Sequence, residues 1–408
     1  MKRYNYICAV ARRVLCITAV CLCVASCSHG DPYANLPQCE ITAPLDSILS
    51  GLFADDAPGA HVMIVRNDSV MYSNSRGMAA FDTDDRITGA TMFNVAESSK
   101  SFSVAGVMKL VEEGLLDLDK PVREYFTEMP TAAFDTITLR HILTHTTGLP
   151  NVIPQNRTEW ETLQSKVPLH FARLRDYIHY GREEDLTLSY ALLDSLPADR
   201  KAPVCGDMDL PFMLIKQIVE SVTRLPFDQW MEKSVLSPAG ISNVAYRDPD
   251  VTINGLAHAY STFMPEKARH GMYVSPDGKW IEDDYGDSPA FLTKADNGVY
   301  TTGREFLRWR TALEAGKVVS PETLGMIYSP MAPTQFPDVW YGLGNLITTT
   351  PSGAKKVYQL SHNGGFYILD VSFPEKHVSY IVFSNRREWS LPRLMKEIDS
   401  LLEANDWI

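Results

Sequence analysis

The sequence predicts an α+β fold, with one antiparallel sheet built from both chain ends, flanked by helices, and a mainly helical lobe inserted at about residues 115–290. Three observations predict it. Strand patterns gather near the two termini, while helical periodicity fills the middle. The 408 residues, 45% apolar and 22% charged, suit one large two-lobed domain rather than a repeat array or a disordered chain.

In chain order, the first 26 residues read as a signal peptide. Lys2, Arg3, Arg12 and Arg13 make a basic start, and Val14 to Ala25 is an apolar run too short to span a bilayer. Val24-Ala25-Ser26-Cys27 resembles a bacterial lipobox, which implies cleavage before Cys27 and acylation of that cysteine. Cleavage takes the net charge from -12 to -16, because the lost segment carries four Lys/Arg and no acid. So acidic a surface excludes nucleic acid as a partner and leaves membrane contact to the lipid on Cys27. The expected location is outside the inner membrane of a bacterium, anchored at the periplasmic face or the outer membrane. Of the seven cysteines three remain after cleavage, Cys27, Cys39 and Cys205, and the last two either pair or stay as thiols.

Residues 27–44, with Pro32, Pro37 and Pro44, read as a tether, and the folded domain as 45–408. Leu45 to Phe53 has helical spacing. His61 to Val65 reads as a buried strand, Asn67-Asp68-Ser69 as a turn, and Val70 to Tyr72 as a second strand. Ser101 to Glu113 is apolar almost all round, a core helix ending at Gly114, and Pro211 to Thr223 is another. Strand patterns return at 341–348, 356–361, 367–373 and 378–383, before a final helix at 391–404. His141 and His145 have the i, i+4 spacing of helical metal ligands, with core packing and capping the favoured reading. Trp309 and Trp340 read as packing residues, and Gln155 to Ala202 as either a lid or a surface elaboration.

Several segments, in this order, carry a resemblance: Pro58-Gly59-Ala60, Phe93-Asn94-Val95-Ala96, residues 110–119, Arg140 through Pro150 (RHILTHTTGLP), Gly298 through Thr302, Tyr341 through Gly344, and His362-Asn363-Gly364-Gly365. Together they resemble the serine beta-lactamase and penicillin-binding-protein family, in its class C-related, esterase-like branch. The resemblance implies a beta-lactamase/transpeptidase-like fold and a cleft where three motifs meet. A Ser-x-x-Lys opens the core helix, with the lysine placed to activate the hydroxyl. A Tyr-x-Asn comes from the helical lobe, and a His/Lys-x-Gly strand helps hold an oxyanion through a backbone amide.

The chain departs from that pattern twice. The first motif stands as Glu97-Ser98-Ser99-Lys100, so Lys100 fits the family lysine and Glu97 takes the nucleophile's position. The second falls on Asp207-Met208-Asp209, replacing tyrosine with Asp207 and asparagine with Asp209. The third survives as His362-Asn363-Gly364, followed by Gly365, with Asn363, Gly364 and Gly365 expected to line the substrate side. Neither Ser98 nor Ser99 lies three residues before the lysine. Ser352 to Lys355, the literal Ser-x-x-Lys, sits in a turn between strands.

Glu97 and Lys100 share a helix face, and on an exposed helix such a pair contributes about 0.2–0.5 kcal/mol. In a cleft the carboxylate favours the charged lysine and so weakens it as a base. These substitutions favour an inactive hydrolase scaffold that binds a cell-wall peptide, another small molecule or a protein partner in the retained cleft, without a cofactor. Two other readings stay open: a hydrolase of beta-lactams, esters or D-amino-acyl peptides with non-standard residues, and a cation site formed by Glu97, Asp207 and Asp209 beside His362.

Overall fold

The computed structural model describes Tyr33 and residues 36–125, 135–147, 210–246, 252–263, 273–283, 294–387 and 390–408. Its centre is an eight-stranded antiparallel sheet. Two strands come from the N-terminal part, β1 (Ala60–Arg66) and β2 (Ser69–Arg76). Six come from the C-terminal part: β3 (Ala332–Pro333), β4 (Trp340–Tyr341), β5 (Leu346–Thr349), β6 (Lys355–Asn363), β7 (Phe366–Phe373) and β8 (Val378–Ser384). The spatial order is β3-β4-β5-β6-β7-β8-β1-β2. The two ends of the chain therefore join where β1 pairs with β8, from Ala60 opposite Ser384 to Arg66 opposite Val378.

β1 shows why this sheet is central. Ala60, Val62 and Ile64 face one hydrophobic core, while Met63 and Val65 face the other. A strand buried on both faces needs a continuous apolar run, and that is what the sequence carries here. The first core is closed by helices α1 (Thr42–Leu52) and α5 (Leu391–Ala404), which contribute Leu45, Leu49, Leu391, Leu394, Ile398 and Leu402. On the second face lie α2 (Lys100–Glu112), α3 (Leu210–Thr223) and α4 (Gly303–Glu314). Gly303 opens α4 against the sheet: a Cβ there would stand 2.6 Å from the His61 ring and 2.9 Å from Ile381.

α5 spans the residues expected, because its apolar positions recur on one helical stripe. Three expectations need correction. α1 begins at Thr42, with Ile41 already buried, so the fold starts inside the segment read as tether. Pro44 lies in the first turn, where its missing N–H costs no helical hydrogen bond. Residues 341–348 are not one strand: β4 and β5 form a hairpin through Gly342-Leu343-Gly344-Asn345, with Gly344 at φ +70°. His141 and His145 do not share a helix, which runs only from Leu139 to Leu143. His141 closes a capping box with Thr138, while His145 takes φ +55° and packs between Phe212 and Tyr341. Trp309 is buried, stacks on Phe102 at 4.4 Å and donates to Ser101 Oγ at 3.0 Å, a packing role; Trp340 is exposed.

Candidate active site

The site is built where a short three-stranded sheet delivers the start of α2 to the end of β6. Phe93–Asn94 pairs with Val299–Thr301. The chain then enters a 3-10 turn, Ala96–Ser99, which leads directly into α2. Ala96 adopts φ +47°, a left-handed conformation that alanine adopts at a cost of roughly 1–2 kcal/mol. Asn94 holds it there. The Asn94 amide is buried, accepts the Ala96 N–H at 2.8 Å, donates to the Asn297 carbonyl at 2.8 Å and accepts from Asn363 Nδ2 at 3.3 Å. One side chain thus ties together the turn, the loop before Val299 and the end of β6.

Glu97 therefore sits on the 3-10 turn and not on the α-helix. Its Oε2 accepts the backbone N–H of His362 at 2.8 Å, and its Oε1 lies 3.7 Å from His362 Nδ1. Burial opposes ionisation of this carboxyl. The hydrogen bond from His362 and the charges of His362 and Lys100 outweigh it, holding the carboxyl below the usual glutamate range. The Lys100 charge favours the ionised form of Glu97, but the two do not share an α-helix face as expected, because Glu97 precedes the helix that Lys100 opens. The lysine also has a second carboxylate: Lys100 Nζ is 3.1 Å from Asp296 Oδ1, and both side chains are buried. The Phe212 ring covers the ammonium at 5.3 Å.

The neighbouring hydroxyls are engaged elsewhere. Ser98 is buried, with its Oγ 3.3 Å from Ser361 Oγ. Ser99 is also buried and accepts the Val299 N–H at 3.1 Å.

His362 and Asn363 end β6, and Gly364-Gly365 form the two-residue turn into β7, with Asn363 opposite Phe366. Gly364 takes φ +58°, the positive value glycine supplies at such a turn. Gly365 has a different reason to be glycine: a Cβ would stand 2.4 Å from the Tyr260 backbone nitrogen. Its N–H donates to the Asp283 carbonyl at 2.7 Å. One amide of the motif that the resemblance assigned to an oxyanion, that of His362, is therefore used internally by Glu97, and the amide of Gly365, which follows the motif, by Asp283.

Of the residues expected at the site, the structure brings together Glu97, Lys100, His362, Asn363, Gly364 and Gly365. Asp207, Asp209, Cys27, Cys205 and the 155–202 segment lie outside the described residues. Among the described residues no group of three or more His, Cys, Asp or Glu is placed to hold a metal ion. Asp296, Asn94 as an anchor, and Phe212 join the site without having been singled out from the sequence. The available signal was that Asn94 and Asp296 lie in or beside the quoted landmarks.

A family model described as Beta-lactamase matches residues 45–402. A penicillin-binding protein of Bacillus subtilis (strain 168) is 21% identical over 334 residues, 80% of this chain and 68% of its own length. Esterase EstB of Burkholderia gladioli is 24% identical over 307 residues, 72% of this chain and 76% of its own. The D-amino acid amidase of Ochrobactrum anthropi SV3, solved with L-phenylalanine, superposes with a TM-score of 0.69 at 18% identity, covering 88% of this chain and 99% of the amidase. The match spans most of the chain and the fold is shared, so the chain belongs to the beta-lactamase family of serine hydrolases.

Proposed function

We propose that this protein is a catalytically inactive member of its family that binds a ligand in the retained cleft, with a cell-wall peptide as the first candidate and another small molecule or a protein partner as the others. The observation that carries the reading is the 2.8 Å hydrogen bond from the His362 amide to Glu97. A carboxylate stands where the resemblance puts a hydroxyl, and it engages an amide of the motif expected to serve an oxyanion. A carboxylate attacking an acyl group would give an anhydride, a costly intermediate for acyl transfer. Lys100 is paired with the buried Asp296 at 3.1 Å, a partner that favours the charged lysine and so suits charge balance better than proton abstraction. The basic start, the short apolar core and the lipobox at Cys27 support lipid anchoring. Among the described residues no helix is long and apolar enough to cross a membrane.

Mass spectrometry after incubation with a reactive penicillin tests the reading. The expected result is an unmodified parent mass, with a penicilloyl adduct gained by Glu97→Ser. A stable adduct on any serine of the natural sequence overturns it.

A further inference from the structure

We propose that the His362 amide, the His362 imidazole and the Lys100 ammonium form a carboxylate-binding site, and that Glu97 is its resident occupant supplied by the chain itself. The inference rests on the reading that Glu97 is not a nucleophile and adds what the site recognises.

Three observations point to a built anion site. First, one residue presents two groups to the carboxylate: Oε2 takes the His362 amide at 2.8 Å and Oε1 lies 3.7 Å from the His362 imidazole, while the Lys100 charge favours the ionised form. Backbone N–H to carboxylate is a charge-assisted hydrogen bond, about twice as strong as a neutral one. Second, the turn that delivers Glu97 is held at a conformational cost. Ala96 stays left-handed because Asn94 accepts its N–H, and Asn94 is in turn hydrogen-bonded to β6 through Asn363. The donor strand and the acceptor turn are thus fixed by one buried amide.

Third, the two carboxylates near Lys100 differ in access. Asp296 is 0% exposed, whereas Glu97 is 16% exposed and His362 is 49% exposed. Asp296 is sealed in as a permanent counter-ion. Glu97 is partly exposed beside a half-exposed His362, so a soluble carboxylate can take its place. The site therefore suits a ligand bearing a carboxylate, either a small acid or the C-terminus of a peptide, and Glu97 competes with that ligand from within.

The test uses the purified full chain and acetate as probe. Glu97→Ala is expected to melt below the parent and to recover by about 2–4 °C with saturating acetate. Acetamide, or chloride at matched ionic strength, should give no recovery, and the parent should not respond to acetate. A dipeptide with a free C-terminus that outperforms its amidated form would identify a peptide end as the source of the carboxylate; equal effects would identify a small acid. Equal acetate shifts in parent and variant, or none in Glu97→Ala, overturn the proposal. If Glu97→Ala does not fold, the His362 amide is followed by NMR in 15N-histidine-labelled parent and Glu97→Gln. Its resonance should move with pH as Glu97 titrates in the parent and lose that response in Glu97→Gln; an unchanged response overturns the proposal. A penicillin adduct on the parent, together with acetate recovery in Glu97→Ala, would sink the inactive reading and leave this one standing.

Discussion

Among the described residues two buried cations, Lys100 and Arg310, are each paired with a buried aspartate and each influence a glutamate, in different surroundings. At the site, Lys100 Nζ lies 3.1 Å from Asp296, and its charge favours the ionised form of Glu97. Under the sheet, Arg310 of α4 pairs with Asp370 of β7 and donates to the Tyr328 hydroxyl at 2.8 Å. Tyr328 and Ser372 in turn donate to Glu314, at 3.3 and 2.6 Å. The two glutamates shift in opposite directions. Burial pushes the Glu314 carboxyl up, and the Arg310 charge and the two hydroxyls do not fully offset it. Burial acts in the same sense on Glu97 but is outweighed by His362 and Lys100. At Glu314 burial wins over the two hydroxyl hydrogen bonds and the Arg310 charge, whereas at Glu97 the His362 amide, with the imidazole and Lys100 nearby, wins over burial. The first arrangement suits a fixed core, and the second holds a charge at an opening.

The comparison can be broken at either end. The largest effect is expected for Arg310→Met, which leaves Asp370 buried without its partner and should cost about 3–5 kcal/mol in urea denaturation. Lys100→Met strands Asp296 in the same way. It should fall at the lower end, about 3 kcal/mol, because removing the ammonium also frees Phe212 and Glu97 to readjust toward the cleft. A loss of less than about 1 kcal/mol at Lys100 would mean that Asp296 is not the buried counter-ion described.

The smallest effects are on pH dependence, where the two glutamates should part company. Glu97, lowered in the folded state, contributes stability above the ordinary glutamate pKa, and this is lost as pH falls through the folded value. Glu97→Gln should therefore flatten the acid limb of the stability curve. Glu314, raised in the folded state, contributes stability that is full below the ordinary value and declines as pH rises through the folded one. Glu314→Gln should remove that decline. Both curves come from urea midpoints measured across pH, and parallel changes in the two variants would contradict the contrast drawn here.

Much of the scaffold was readable because its residues obey a single local rule. β1 carries the unbroken apolar run Val62 to Val65 because both faces are covered there, and α5 carries a clear stripe because only one is. Local rules failed where a contact overrode them. Pro44 looked like part of a tether, but a first helical turn accommodates proline, and Ile41 is buried by the terminal helices' core. Residues 341–348 alternate well enough for a strand, yet Gly342 and Gly344 let the chain double back. At the site, Glu97, Lys100 and the His362 turn were found from spacing and resemblance. Asp296 was not, since its place beside the Gly298–Thr302 landmark marks the region without revealing that it faces Lys100. The amide partner of Glu97 was also hidden, because backbone donors leave no mark in a sequence.

The pairing of Ala60 with Ser384 has a consequence for how this chain is made. During synthesis β1 emerges early and must wait for β8 before its outer edge is covered on that side. Only β2, adjacent in sequence, can shield it meanwhile. Contacts this distant in sequence slow folding and prolong the time that an unpaired edge is open to other chains. A truncation that removes β8 and α5 would leave the β1–β2 ribbon with no sheet to join, and it should aggregate.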